Sequence, residues 1–283
     1  MRKLLGTALH LRRVERGFTQ RDVANRLSWS SSKIRRIEDG RGVKPLMAGD
    51  VLRLLSVYGA SDAELDKAAN LVKRANAPGW WHQWNDLAPE RVRYFYDLEA
   101  ETVSIKDHAV LNFPGLLQTE EYTEAIMWAG LPMAQYREVK RRVALRKERT
   151  KLLTREHDPV RFWALLDESL LRRRVGNPVV MTRQLEHLLQ MGMLPNVELR
   201  INSLSSGASG TQGFPAFTLL RFPALDMPDI AYVENATSAL YMEEPEEVVV
   251  YRAAFDTMSI EAVSPENTLS LIRDAIEWWK RAD

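Results

Sequence analysis

Four side chains between positions 31 and 36 have the types and spacing to read a nucleic-acid base edge: Ser31, Ser32, Arg35 and Arg36. Residues three and four apart share one face of a helix, so these four form a single stripe, with Lys33 beside it. Ile34 and Ile37 fall on the opposite, inward stripe. A guanidinium fork matches the paired acceptors O6 and N7 of guanine, and a good bidentate pair is worth about 1–3 kcal/mol of base discrimination. The small hydroxyls let the start of such a helix approach the groove closely.

The stripe needs a scaffold, and the flanking sequence supplies one. A first helix is expected from Lys3 to Arg16, with Leu4, Ala8 and Leu11 on one face and Gly17 as its stop. Thr19 reads as an N-cap, with Asp22 three residues on partly reproducing a capping box. A second helix then runs to Leu27 and buries Val23, Ala24 and Leu27, and Ser30 caps the third. Two further helices, Leu46–Tyr58 and Asp62–Asn76, close a five-helix bundle through Val51, Leu54, Leu55, Leu65 and Leu71. Two short helices joined by a tight turn form a helix-turn-helix, which presents its second helix to the DNA major groove. The bland alternative is a bundle whose charged face merely meets water.

The segment from about residue 4 to 60 resembles the Cro/cI-type, XRE-like family of helix-turn-helix regulators, most specifically in Ser31-Ser32-Lys33-Ile34-Arg35-Arg36-Ile37-Glu38-Asp39-Gly40. The resemblance implies base reading by Ser31, Ser32, Lys33, Arg35 and Arg36. It implies phosphate contacts from Gln20, at the start of the second helix, and from Arg41 and Lys44 in the loop after the third. It also implies a structural ion pair between Arg13 and Glu38. The two serines stand where many relatives carry glutamine, so the operator cannot be borrowed from a relative.

Charge separates along the chain in the same sense. Residues 1–76 hold 16 Lys/Arg against 8 Asp/Glu, a charge of +8, and residues 77–283 hold 23 against 30, a charge of −7. A basic lobe on an acidic body implies that the first lobe approaches a polyanion. At 283 residues two domains are the default expectation. We expect a DNA-binding domain over 1–76, a hinge over 77–84 opened by Asn76-Ala77-Pro78-Gly79, and a second domain over 85–283. Trp80, Trp81 and Trp84 serve that hinge better as a packing anchor than as a ligand-stacking surface.

The second part mixes patterns. Helical stretches are expected at about Pro89–Val103, Thr119–Trp128, Ala134–Arg155, Thr182–Met193, Pro245–Met258 and Pro265–Lys280. Strand-like runs lie at Arg161–Leu166, Val197–Ile201, Phe214–Phe222, Ile230–Val233 and Ala239–Met242. The expected fold class is therefore a mainly α amino-terminal domain plus an α+β domain with a small sheet. Ser203–Gly213 reads as a loop, either a lid or a connector.

Several phrases here, above all Phe113-Pro114-Gly115-Leu116-Leu117-Gln118-Thr119, with Arg142-Val143-Ala144-Leu145-Arg146 and Tyr232-Val233-Glu234, resemble the second domain of WhiJ-type, toxin–antitoxin-like actinobacterial regulators. That resemblance covers most of residues 80–275. It implies a small partner protein, encoded nearby, that binds this domain and modulates DNA binding, and it brings no catalytic residues. Phe113 and Thr123 depart from the usual pattern.

Other chemistry finds little support. No cysteine is present, which excludes disulfides and thiol catalysis and fits a reducing cytoplasm. His10, His82, His108, His157 and His187 lack metal-ligand spacing. Gly207–Gly213 lacks a phosphate-cradling frame. Asp167-Glu168 is better explained as the cap of a helix Ser169–Val175 than as a catalytic pair. Nine basic residues crowd Arg137–Arg155, and either a DNA-phosphate or acidic-partner surface or a solvated face would account for them. No apolar run of about 18 residues is present to span a bilayer, and the Met1–Leu5 start is too short in apolar residues for a secretory signal. The combined expectation is a cytoplasmic, non-enzymatic, cofactor-free regulator, a repressor bound as a homodimer to a palindromic operator. The rival is a regulator whose second domain senses a small molecule.

Overall fold

The computed structural model describes residues 2–40, 45–77, 80–131, 133–206, 213–222 and 228–282. Packing divides the chain into two units, one drawn from residues 1–82, 94–101 and 222–228, the other from 83–93, 102–221 and 229–283.

The first unit is built from α1 (Arg2–Glu15), α2 (Gln20–Leu27), α3 (Ser31–Glu38), α4 (Ala48–Val57) and α5 (Asp62–Asn76). Residues from Tyr94 onward of α6 (Glu90–Ala100) join them. Local signals set the boundaries. The Thr19 hydroxyl accepts from Asp22 N at 3.2 Å while the Asp22 carboxylate accepts from Thr19 N at 2.9 Å, a complete capping box for α2. Ser28 takes a left-handed conformation (φ 54°) and Trp29 N returns to Ala24 O at 2.9 Å, which makes the turn tight. Ser30 then caps α3, accepting from Lys33 N at 3.2 Å.

Leu4, Leu5, Leu9, Val23, Ile34 and Leu54 fill the core between these helices. Two glycines fix how closely α1 meets α3. A Cβ on Gly6 would lie 2.3 Å from the Glu38 carbonyl oxygen, and one on Gly40 (φ 58°) would lie 2.4 Å from Lys3 Cα. Neither backbone neighbour can yield, so only glycine fits. The Trp80–Trp84 segment is a 3-10 helix. Trp81 Nε1 donates to Asp97 at 3.0 Å, and the Trp80 ring lies 6.2 Å from that of Tyr96.

The second unit holds a six-stranded sheet of order β3-β2-β1-β4-β5-β6. Its strands are β1 (Ser104–Ala109), β2 (Arg161–Asp167), β3 (Val197–Asn202), β4 (Phe217–Arg221), β5 (Ile230–Glu234) and β6 (Ala239–Met242). β1, β2 and β3 are parallel, joined by α7 (Glu120–Gly130) with α8 (Tyr136–Thr154) and then by α9 (Pro178–Met191). The other three pairings are antiparallel. α10 (Pro245–Glu261) lies across one sheet face, where Val248, Phe255 and Met258 meet Leu165, Phe217 and Leu219. α11 (Pro265–Lys280) packs on α9 and β3.

Register orders the side chains on the α10 face into rows. Ser104 stands between Arg161 and Arg221, Lys106 between Trp163 and Leu219, and His108 between Leu165 and Phe217. The fold is the expected one, a helical amino-terminal helix-turn-helix region and an α+β region with a sheet, but three local expectations need correction. β1 is a strand the sequence did not announce, because four of its six residues are polar. It is the inner partner of both β2 and β4, and burial there comes from its neighbours. The helix expected over Ser169–Val175 is a single 3-10 turn, Glu168–Leu171, with Asp167 as its cap. α9 begins at Pro178, four residues before the expected Thr182, because Asn177 accepts from Val180 N at 3.0 Å and proline suits a first helical position.

Candidate nucleic-acid interface

α3 is anchored from beneath and open above. Ile34 and Ile37 are buried, while Ser31, Ser32, Arg35 and Arg36 are exposed. The Arg35 side chain is 75% exposed, and its contact with Asp39 is loose at 3.8 Å. Ser30 and Ser32 share a hydroxyl hydrogen bond of 2.9 Å. Lys33 stands apart from this stripe. Its ammonium donates to Asp50 at 2.8 Å and sits 3.7 Å from the centre of the Trp29 ring. In this geometry Lys33 ties α3 to α4 and to the preceding turn, so its charge is partly spent before any partner arrives.

Beneath α3 lies a buried carboxylate that gathers partners from α1, from α2 and from Tyr58, the residue that ends α4. Arg13 Nε donates to Glu38 Oε1 at 2.6 Å and Nη2 to Oε2 at 2.9 Å, a two-pronged pair. Arg13 Nη1 also donates to Phe18 O at 2.7 Å, so the guanidinium fixes the α1–α2 turn as well. Gln20 Nε2 donates to Oε2 at 2.9 Å, His10 Nδ1 stands 3.3 Å from it, and the Tyr58 hydroxyl reaches Oε1 at 3.5 Å. Burial opposes the charge on Glu38, yet the hydrogen bonds from Arg13 and Gln20, with the Arg13 charge, outweigh it and hold the carboxyl below its ordinary range. The hydrogen bond to Glu38 likewise raises Arg13. Burial and then the nearby Glu38 charge push Tyr58 upward, so it stays a neutral donor.

Gln20 therefore has a double position at the start of α2. A carboxylate only accepts, so the amide nitrogen must face Glu38, and its second hydrogen remains for another acceptor. Arg41 and Lys44, the other expected phosphate contacts, lie outside the described residues. The sequence suggested Arg13 with Glu38 but gave no sign of His10 or Tyr58, since their separations from Glu38 follow no local periodicity.

The remaining sequence candidates gather no second site. The basic residues of α8 are largely met by acids of the same unit: Lys140 by Glu124 at 2.7 Å, Arg142 by Glu138 at 2.8 Å, and Arg141 by Asp86. Glu120 faces Lys147 in the same way. This favours a neutralised structural helix over a polyanion surface. His108 is buried beside Phe217, and His187 is partly buried on α9. Among the described residues no group of His, Asp and Glu is placed to hold a metal ion. No described helix is long and apolar enough to cross a membrane.

A family model described as a helix-turn-helix domain matches residues 4–68, and one described as a domain of unknown function (DUF5753) matches residues 92–274. No curated protein and no solved structure gives a match to the chain.

Proposed function

From a chain that belongs to the DUF5753 family and carries a helix-turn-helix DNA-binding domain, we propose a sequence-specific transcriptional repressor that binds its operator as a homodimer. The observation that carries the reading is the exposure of Arg35 and Arg36 on a helix whose opposite stripe is buried and whose last residue, Glu38, is clamped. In this assignment Ser31, Ser32, Arg35 and Arg36 read base edges, with Lys33 supporting the helix beside them. Gln20, Arg41 and Lys44 contact phosphates. One such module buries only about 600–1,000 Å² on DNA, too little for high specificity alone. A two-fold dimer on half-sites about 34–36 Å apart supplies the rest.

The resemblance to WhiJ-type regulators supports an antitoxin-like second unit controlled by a small partner protein encoded nearby, in the cytoplasm of an actinobacterium. The reading assigns this unit no reaction. Selection of bound sites from random duplexes, followed by footprinting, tests the proposal. Paired inverted half-sites are the expected result, and a single unpaired half-site at full occupancy removes the dimer. A second reading, control by a small molecule in place of the partner, is favoured by a cavity of about 420 Å³ in the second unit.

A further inference from the structure

The first row of the α10 face concentrates positive charge. Arg161, Ser104 and Arg221 are in register on three adjacent strands and point the same way. Arg161 is exposed and has no ion-pair partner among the described residues. Arg221 shares Asp229 with Arg252 of α10, at 3.3 and 2.6 Å, so one carboxylate serves two guanidinium groups and Arg161 adds a third, unmatched charge. These groups line a cavity of about 120 Å³ that reaches Lys106 and Trp163 in the second row.

Past Lys106 and Trp163 the same face opens into the larger cavity, whose apolar lining is Trp163, Leu165, Phe255 and Ile260. Its cations are already matched: Lys106 meets Asp256 at 2.6 Å, and Arg200 meets Glu198 at 2.6 Å. The groove is therefore polarised, with surplus positive charge at one end and an aromatic hollow at the other. Its main volume lies in the range of about 300–1,000 Å³ typical of small-molecule sites, which combine an apolar lining with a few placed polar groups.

We propose that this groove binds a small amphiphilic organic anion. The acidic head sits at Arg161 and Ser104, and a flat apolar body lies in the hollow against Trp163 and Phe255. Guanidinium groups suit carboxylate, sulfonate and phosphate oxygens alike, so the head is defined by its charge. The inference deepens the small-molecule reading and rests on it for any effect on DNA. Binding itself is measured without DNA, so failure here leaves operator binding untouched, and the converse holds.

The test uses the full chain with anilinonaphthalene sulfonate as the anionic probe and N-phenylnaphthylamine as its neutral counterpart. One saturable sulfonate site is expected. Arg161→Gln, at an exposed position that should not perturb folding, weakens the sulfonate about tenfold through loss of a charge-assisted contact and leaves the neutral probe unchanged. Trp163→Phe weakens both, whereas Val250→Ala, on an exposed apolar patch of α10, changes neither. Equal sulfonate affinity in wild type and Arg161→Gln overturns the head assignment. Loss of binding in Val250→Ala with retention in Trp163→Phe overturns the location.

Discussion

Gln20 and Glu38 are joined by a 2.9 Å hydrogen bond from the Gln20 amide to the Glu38 carboxylate, at the same oxygen that receives Arg13 Nη2. The first residue of α2 is thereby held to the last residue of α3. The side chain proposed to contact the DNA backbone and the helix proposed to read the bases are thus tied into one network.

Removing the carboxylate should leave Arg13 as an uncompensated buried charge. Glu38→Ala is expected to destabilise the first unit by about 3–5 kcal/mol, whereas Arg13→Met with Glu38→Leu together should lose much less. Urea denaturation followed by far-UV circular dichroism decides this. A double variant no more stable than Glu38→Ala would contradict a desolvated ion pair.

The same network sets an acid limit. The Glu38 carboxyl titrates below its unfolded value of about 4.3, so its stabilisation is complete above that value and disappears as pH falls through the depressed folded one. Melting temperatures of wild type should drop below about pH 4 more steeply than those of the Arg13→Met, Glu38→Leu variant. Parallel curves would show that other groups carry the acid sensitivity.

A separate window belongs to His108, which burial holds below the ordinary histidine range. Because the unfolded chain binds the proton first, stability falls as pH drops below about 6.5 and continues to fall toward the depressed folded value. His187 is shifted the same way by burial and adds to the effect. His108→Phe should flatten the dependence of melting temperature between pH 7 and 5. An unchanged slope would assign the whole effect to His187 or elsewhere.

On DNA, Arg36→Ala should erase preference at one base position, costing about 1–3 kcal/mol there. Gln20→Ala should weaken operator and random duplexes alike. It should leave the salt slope unchanged, because no cation is lost. Titrations on both duplexes at several salt concentrations separate the two, and identical losses would falsify the division into base reader and backbone contact.

Close packing of α1 on α3 makes a last prediction. Gly6→Ala places a methyl 2.3 Å from the Glu38 carbonyl oxygen, and the backbone there cannot yield without moving the clamp. Thermal melting should show marked loss of stability in the first unit, together with loss of operator binding. Gly49→Ala, with open space around its Cβ position, should be tolerated.

The helix-turn-helix was legible in the amino acids because its determinants are local. Thr19 with Asp22, Ser30, and the alternation of Ile34 and Ile37 with arginines act over three or four residues, the reach of one helical turn. The ends of α11 and β6 were legible for the same reason, through Ser264-Pro265 and a short apolar run. Tertiary structure decided the rest. β1 is a strand because β2 and β4 flank it, which no reading of Ser104–Ala109 supplies. Lys33 turns to Asp50, and His10, Gln20 and Tyr58 converge on Glu38, because packing brings together groups separated by 17 to 28 residues. The row of Arg161, Ser104 and Arg221 likewise exists only once three strands are in register. Propensity and capping are short-range and survive in a linear text, whereas partnership across helices and strands depends on a geometry that exists only after the chain has folded.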